Sequence, residues 1–203
     1  MTRPAPQRIG LLGGTFDAPH VGHLAMATTV CSALSLDTVV FVVANDPWQK
    51  MGDRAVTPAA LRLEMTRALV EGHKQFSVDD REIRRGGPTY TVDTLNELHQ
   101  ENLSDEIFLI VGADTASRIH TWHRYQEVLS LSTLVVVNRT EAHPTLAPEL
   151  VGARGESVSM PAVDVSSTQI RNAVAADASI EGMTTESVRA FIDVHGLYAE
   201  VSA

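Results

Sequence analysis

Four polar side chains fall within nine residues near the start of the chain: Thr15, Asp17, His20 and His23. Two histidines three residues apart in the first turn of a helix present both imidazoles on the same side. Three interpretations are open for this pair: two structural histidines, two ligands of a metal ion, or two hydrogen-bond donors to a phosphate group. A metal site would need a third protein ligand, and the nearest cysteine, Cys31, fits an apolar helix face. The glycines that surround the histidines favour phosphate binding.

The residues around these side chains predict the order strand, glycine turn, polar loop and helix. An apolar run at 9–12 is long enough for one buried strand, and Gly13 and Gly14 follow it. Glycine has no Cβ atom, so the backbone can turn sharply there and approach a ligand closely. A helical pattern begins at Leu24. In a parallel sheet, this order places the polar loop at the carboxyl end of the first strand, beside a helix N-terminus, where anions are favoured.

Strand-like and helical segments alternate along the rest of the chain. Apolar or β-branched runs predict further strands at 38–43, 76–78, 106–111, 133–137 and 157–160. Helices are predicted between them, and one opens with Thr57 as its cap and Pro58 as its first residue. This alternation predicts an α/β fold with a doubly wound, Rossmann-like parallel sheet of about five to six strands and helices on both faces. We expect one domain, residues 1–203, with an irregular segment at 140–156.

The composition limits the classes of partner. A net charge of −9 disfavours broad nucleic-acid binding, which depends on positive surface. No apolar run approaches the roughly 18 residues of a membrane span, and residues 1–8 lack the apolar middle of a signal peptide. We therefore expect a cytoplasmic protein with no nucleic-acid or membrane partner. No stretch of the sequence marks an interface, which leaves a homo-oligomer open.

Four further candidate residues follow predicted strands or begin predicted helices. Lys50 is either a solvated lysine or a phosphate ligand, and Thr91 is a helix cap, a ligand contact or both. Asp114, at the end of a strand, would accept hydrogen bonds from ribose hydroxyls or cap the next helix. Trp122 would pack in the core or stack on a flat aromatic ring, and the polar residues around it favour a position in an exposed pocket.

A second motif, Val-Ser-Ser-Thr-Gln-Ile-Arg, occupies residues 165–171. Its consecutive hydroxyls predict the capped start of a helix at 168–176. The same geometry offers hydroxyls and N–H groups to a phosphate, with Arg171 one turn further on and on the same side as Thr168. The pattern therefore suits a phosphate site as well as a capped helix.

Together the motifs resemble a known family. The first, Gly-Gly-Thr-Phe-Asp-x-x-His-x-Gly-His-Leu, resembles the signature of the HxGH nucleotidyltransferases, and most closely that of bacterial nicotinate-nucleotide adenylyltransferases. The second resembles the Ile-Ser-x-Thr-x-Ile-Arg of that family. The Pro-x-x-Lys setting of Lys50, the Tyr-Thr-x-x-Thr-Leu segment at Tyr90 and the spacing between Asp114 and Trp122 are also similar.

The sequence departs from the family pattern at two places. Ala18 stands where the family has proline, and Pro19 follows one place later, so the length of the loop is kept. Thr140 and Glu141 follow Arg139, where the family usually has Pro-Gly. The register of the histidines is therefore kept, while the two turns differ from the family pattern.

The resemblance implies a reaction and its substrates. It implies transfer of the adenylyl group of ATP to nicotinate mononucleotide, giving deamido-NAD and pyrophosphate in NAD biosynthesis. Mg²⁺ would be delivered with ATP, without a metal site in the protein. The alternatives are a sister transferase with another phosphorylated acceptor, such as the amide mononucleotide or phosphopantetheine, a non-catalytic nucleotide sensor, and a structural domain. The choice between the acid and the amide acceptor is open as well.

The resemblance also implies roles for individual residues. Catalysis would rest on His20, His23 and Arg171, with the histidines donating to phosphate oxygens as imidazolium ions. ATP binding is implied for Gly13, Gly14, Thr15, Phe16, His20, His23, Asp114, Ser167, Thr168 and Arg171. Mononucleotide binding is implied for Asp17, Lys50, Tyr90, Thr91, Trp122 and Arg139. The C-terminal portion, about 166–203, would close over the ATP site.

Overall fold

The computed structural model describes residues 5–46, 56–138 and 154–199 of the chain, so only 154–156 of the predicted irregular segment lie within these ranges. Six strands in these ranges form one sheet: β1 Arg8–Gly14, β2 Thr38–Val43, β3 Phe76–Asp79, β4 Glu106–Gly112, β5 Thr133–Asn138 and β6 Gly155–Ser159. Neighbouring strands are parallel, in the order β3-β2-β1-β4-β5-β6. This confirms the predicted Rossmann-like sheet. The order reverses between β1 and β4, where doubly wound sheets bind ligands.

Helices cover both faces of this sheet. They are α1 Val21–Ala33, α2 Ala59–Val70, α3 Arg81–Arg85, α4 Thr91–Glu101, α5 Ala113–Ala116, α6 Tyr125–Leu131, α7 Ser167–Ala175 and α8 Glu186–Val194. One hydrophobic cluster packs α1, α2, α7 and α8 on one face, and a second packs α4, α5 and α6 on the other. Leu12 of β1 belongs to the first cluster and Leu11 to the second, as the two-residue period of a strand requires. No helix of the described ranges is long and apolar enough to cross a membrane.

The start of the chain differs from the prediction at two boundaries. Gly13 and Gly14 belong to β1 and pair with β2, so they are strand residues and not a turn. The pairing extends this far because the last residues of β2 continue the ladder alongside them. Helix α1 begins at Val21 and not at Leu24, which makes His20 the residue that precedes its first turn. Both histidines therefore lie at the N-terminus of α1, as their spacing predicted.

Two of the predicted helix caps are displaced, and a third is confirmed. Pro58 occupies the N-cap position of α2, so Thr57 lies one residue before it. Tyr90 occupies the N-cap position of α4, and Thr91 is the first helical residue and not the cap. In α7 the hydroxyl of Ser166 accepts a backbone N–H of the first turn, as the consecutive hydroxyls predicted.

Glycine is required at one position of β1 and not at another. A Cβ atom at Gly10 would lie 2.9 Å from Leu36, 3.0 Å from Ile110 and 3.1 Å from Val39. We predict that Gly10→Ala lowers the free energy of unfolding by about 1–3 kcal/mol, because it overpacks this contact. Gly13→Ala is the matched control, since no atom of the described residues lies within 4 Å of its Cβ position. Equal stability of the two variants in urea unfolding would contradict this account of the packing.

Candidate functional site

A cavity of about 610 Å³ opens at the carboxyl ends of β1 and β4. Ten of the sixteen candidate residues line it: Gly13, Gly14, Thr15, Phe16, His23, Tyr90, Thr91, Asp114, Trp122 and Ser167. Four others are not part of this lining: Asp17 and His20 belong to the loop between β1 and α1, Arg171 donates to that loop, and Thr168 accepts from Arg171. Lys50 and Arg139 lie outside the described residues. The switch point of the sheet thus gathers residues from both sequence motifs around one cavity.

The two histidines form one unit at the N-terminus of α1. Their ring centroids are 3.8 Å apart, and a Cβ atom at Gly22 would lie 2.9 Å from Nδ1 of His20, which explains the small residue between them. The backbone N–H of His20 donates to Nδ1 of His23 over 3.1 Å. Because Nδ1 accepts this bond, the other ring nitrogen, Nε2, is the one that would donate to a ligand. The imidazolium form that the resemblance implies in the substrate complex stays a prediction.

The second motif docks directly against the first. The hydroxyl of Ser167 donates to the carbonyl oxygen of Ala18 over 2.7 Å. Arg171 donates through Nη1 to the carbonyl oxygen of Asp17, and through Nη2 to the hydroxyl of Thr168 over 3.0 Å. These contacts bring the N-terminus of α7 beside the N-terminus of α1. Two helix N-termini at one end of a cavity form an environment that favours an anion.

Asp17 is 3% exposed, and its carboxylate has interior partners. Its Oδ1 accepts the hydroxyl of Tyr198 over 2.6 Å, and its Oδ2 accepts the backbone N–H of Thr57 over 3.4 Å. Burial raises the pKa of the Tyr198 hydroxyl, and the hydrogen bond to Asp17 raises it further. The carboxylate therefore supports the loop in this structure, and the contact between Asp17 and the mononucleotide that the resemblance implied stays a prediction.

Arg62 of α2 is 1% exposed and is a functional candidate that the sequence reasoning missed. Its guanidinium donates over 2.7–2.9 Å to four backbone carbonyl oxygens: those of Thr15, Ala44, Asn45 and Thr57. Burial lowers the pKa of this guanidinium, and the negative charge of Asp17 opposes the shift. An arginine nevertheless stays protonated in proteins. Four of its five N–H donors therefore hold the backbone next to the ends of β1 and β2 and the start of α2.

The far end of the cavity is aromatic. Trp122, Tyr90 and Thr91 line it, and the ring of Tyr90 meets that of His123 with centroids 4.5 Å apart. Trp122 is half-buried, because it also packs against the hydrophobic cluster beneath α4 and α6. It therefore packs partly against the core and also lines the cavity, while stacking on a ligand ring stays a prediction. A half-buried indole at a cavity wall presents a flat apolar face to a ligand ring.

Other residues at this end were also missed by the sequence reasoning. Glu82, Thr89, Thr94 and His123 line the cavity together with the predicted residues. The hydroxyl of Thr94 donates to Oε1 of Glu82 over 2.6 Å, and burial raises the pKa of that carboxyl group. The hydroxyl of Thr89 accepts the backbone N–H of Asn45 over 3.1 Å. The segment that leads into α4 is therefore held both by α3 and by the end of β2.

The chain matches known proteins over most of its length. The cytidylyltransferase-like family matches residues 11–173, a range that includes both motifs. A Corynebacterium kroppenstedtii protein assigned as a nicotinate-nucleotide adenylyltransferase is 43% identical, over 94% of this chain and 90% of that protein. The chain belongs to the nicotinate-nucleotide adenylyltransferase family. A Methylibium petroleiphilum protein with the same assignment is 38% identical, over 98% of this chain and 96% of that protein.

Solved structures share the fold of this adenylyltransferase family member. The Plasmodium falciparum nicotinic acid mononucleotide adenylyltransferase complexed with NaAD has a TM-score of 0.78 at 14% identity, over 95% of this chain and 97% of that one. The same Plasmodium protein complexed with APC has a TM-score of 0.75 at 13% identity, with the same coverage. At these identities the likeness shows the fold alone.

The bond between Tyr198 and Asp17 makes stability depend on pH. The pKa of the hydroxyl lies above its ordinary value of about 10, so the folded protein keeps a proton that the unfolded chain loses. The stabilising contribution is therefore complete below about pH 10 and is lost as the pH rises further. We predict that Tyr198→Phe lowers the free energy of unfolding by about 1–3 kcal/mol at neutral pH. Urea unfolding should show this gap shrinking at high pH, and a constant gap would contradict the bond.

Proposed function

We propose that this chain transfers the adenylyl group of ATP to nicotinate mononucleotide, giving deamido-NAD and pyrophosphate in NAD biosynthesis. One observation carries the proposal: a single cavity runs from two helix N-termini, with His23 and Ser167, to an aromatic end with Trp122. The first end suits a polyphosphate, and the second suits a pyridine ring. The assigned activity of relatives that are about 40% identical supports the same substrates.

The ATP site is proposed at the end of the cavity between α1 and α7. Gly13 and Gly14 let the triphosphate approach the backbone, and Thr15, Ser167 and Nε2 of His23 supply donors. His20, Thr168 and Arg171 do not line the cavity and would complete the ATP site from positions next to it. Arg171 would reach the phosphates by leaving the carbonyl oxygen of Asp17. Asp114, at the end of β4, would accept hydrogen bonds from the ribose hydroxyls.

The mononucleotide site is proposed at the aromatic end. The indole of Trp122 would stack on the pyridine ring, beside the ring of Tyr90. Thr91, as the first residue of α4, would offer its N–H group to an anionic group of the acceptor. Lys50 would contact the acceptor phosphate, and Arg139 and Asp17 would be further contacts of the mononucleotide. The bond from Tyr198 to Asp17 would keep that carboxylate and its loop in place.

The chemical step needs no nucleophile from the protein. An oxygen of the acceptor phosphate attacks the α-phosphorus of ATP in line, forming one P–O bond. The bond from the α-phosphorus to the bridging oxygen breaks, and pyrophosphate leaves with the electron pair. The acceptor phosphate is already anionic at neutral pH, so catalysis rests on positioning and on stabilising charge. His23 donates from Nε2 to a phosphate oxygen near the reacting centre.

Magnesium is proposed to arrive with ATP. In the described part of the chain, no group of three or more His, Cys, Asp or Glu is placed to hold a metal ion. The hydroxyls, the imidazole and the backbone N–H groups at the ATP end can donate hydrogen bonds to phosphate oxygens. The ion would neutralise charge on the triphosphate while keeping most of its waters.

The C-terminal portion, about 166–203, is proposed to close the ATP end of the same single domain, residues 1–203. Three contacts support this: Ser167 with Ala18, Tyr198 with Asp17, and the hydroxyl of Thr184 with the carbonyl oxygen of Pro19 over 2.9 Å. All three end on the loop between β1 and α1. The loop and the C-terminal portion would therefore move as one unit.

We predict that His23→Ala lowers kcat by about 100-fold or more, with a smaller effect on ATP affinity. The reason is that the Nε2 donor acts on charge that develops in the transition state. Pyrophosphate release measures kcat, and calorimetry measures ATP binding. His120→Ala is the control, because His120 is an exposed histidine outside this cavity lining. Near-normal turnover of His23→Ala would remove the histidine from the mechanism.

The function itself is tested by pyrophosphate release with ATP, Mg²⁺ and one acceptor at a time. We expect kcat/KM to be highest with nicotinate mononucleotide, and we expect Trp122→Ala to raise the KM for that acceptor. Turnover only with the amide or with phosphopantetheine would assign the chain to a sister activity. Thermal stabilisation by ATP without turnover of any acceptor would indicate a nucleotide sensor.

A further inference from the structure

We propose that Arg62 is a positioning residue for adenylyl transfer, because its guanidinium fixes the separation between the ATP loop and the acceptor segment. The ATP loop is defined as residues 15–20 and the acceptor segment as residues 87–91. The inference rests on the proposed function, since it concerns how two bound substrates are aligned. Arg62 does not line the cavity, so it would act through the backbone that it holds.

One nitrogen of Arg62 joins the ends of two strands. Nη1 donates to the carbonyl oxygen of Thr15 over 2.8 Å and to that of Ala44 over 2.7 Å. Thr15 begins the ATP loop directly after β1, and Ala44 follows β2. Both N–H groups of this nitrogen are therefore used to hold the two strand ends at a fixed distance from each other.

A second nitrogen links the guanidinium to the acceptor segment. Nη2 donates to the carbonyl oxygen of Asn45 over 2.9 Å. The backbone N–H of Asn45 donates to the hydroxyl of Thr89 over 3.1 Å, and its side chain donates to the carbonyl oxygen of Gly87 over 3.0 Å. Asn45 therefore holds the residue directly before Tyr90, Thr89, and also Gly87, three residues before Tyr90 at the aromatic end of the cavity.

The contacts require the planar fork of an arginine. Four carbonyl oxygens lie around one guanidinium that is 1% exposed. A lysine would place its donors on one nitrogen and would not reach oxygens on opposite sides of the fork. Arg62→Lys keeps an amine donor but removes the fork. It therefore releases the distance between the two loops and also leaves some of the four carbonyl oxygens without a donor, a loss of stability that thermal unfolding measures.

A positioning role and a purely structural role of Arg62 predict different results for Arg62→Lys. ATP and the mononucleotide would each bind mainly to one loop, so each would still bind alone. Their mutual alignment would change, and a displacement of about 1 Å can cost about 100-fold in rate. A purely structural arginine would lower the folded fraction and leave the kcat of each folded molecule unchanged.

The test compares Arg62→Lys with Arg81→Lys in the full chain. Arg81 is the matched control, since it is also buried but contacts the carboxylates of Asp79 and Glu101. For each variant we would measure thermal unfolding and kcat per folded molecule. We would also measure two Kd values, one for a non-hydrolysable ATP analogue and one for nicotinate mononucleotide. We expect Arg62→Lys to lose about 100-fold in kcat with both Kd values little changed. We expect Arg81→Lys to lose thermal stability and keep kcat.

Other results would overturn the inference. Arg62 would be a purely structural residue if Arg62→Lys kept the wild-type kcat per folded molecule. The same conclusion would follow if both Kd values rose in parallel, since both substrates would then bind more weakly. If Arg62→Lys does not fold, Asn45→Ala removes the link to Gly87 while Arg62 stays. Asn45→Ala is then expected to lower kcat selectively, and a normal kcat would overturn the inference. Turnover of a different acceptor by the wild type would reject the proposed function, and the same comparison on that acceptor would still decide the role of Arg62.

Discussion

Just after β1 and β2 end, backbone carbonyl groups leave the hydrogen-bonded ladder of the sheet while they are still inside the protein. Buried carbonyl groups must find other hydrogen-bond donors. Arg62 supplies them, because one guanidinium donates to Thr15, Ala44 and Asn45 at once. Since Thr15 and Ala44 both line the cavity, the same bonds hold part of its wall in place. Tyr198 and Arg171 hold the loop after β1 from the other side. The site is therefore built by constraints on the backbone more than by individual side chains.

The architecture and the location of the site could be predicted from the sequence. The run of β-branched and apolar residues at 38–43 has the bounds of β2, and strand–helix alternation correctly predicted the parallel sheet. Because parallel strands end at one edge, residues such as His23, Asp114 and Trp122 come to one cavity despite their separation along the chain. The hydroxyl motif before α7 joins them through Ser167, whose polar partner is the carbonyl oxygen of Ala18.

The supporting contacts could not be predicted in the same way. Arg62 shares a helix face with Met65 and Leu69, and a charge on an apolar face is a hint of a buried role. Its partners, however, are backbone carbonyl groups. Every residue has one, so the sequence does not show which of them will accept the hydrogen bonds. Tyr198 and Asp17 are 181 residues apart, so their bond appears only when the last helix has packed. The orientation of the His23 ring likewise depends on one backbone N–H, that of His20, which residue types do not reveal.

The central claim is that the protein holds two substrates in line and contributes no covalent nucleophile. The most direct measurement is the stereochemical course at the α-phosphorus, using ATP made chiral by sulfur at that position, with nicotinate mononucleotide as acceptor. A single in-line displacement predicts inversion of configuration in the dinucleotide product. Retention would require two displacements, and therefore an adenylylated side chain, which would contradict the account.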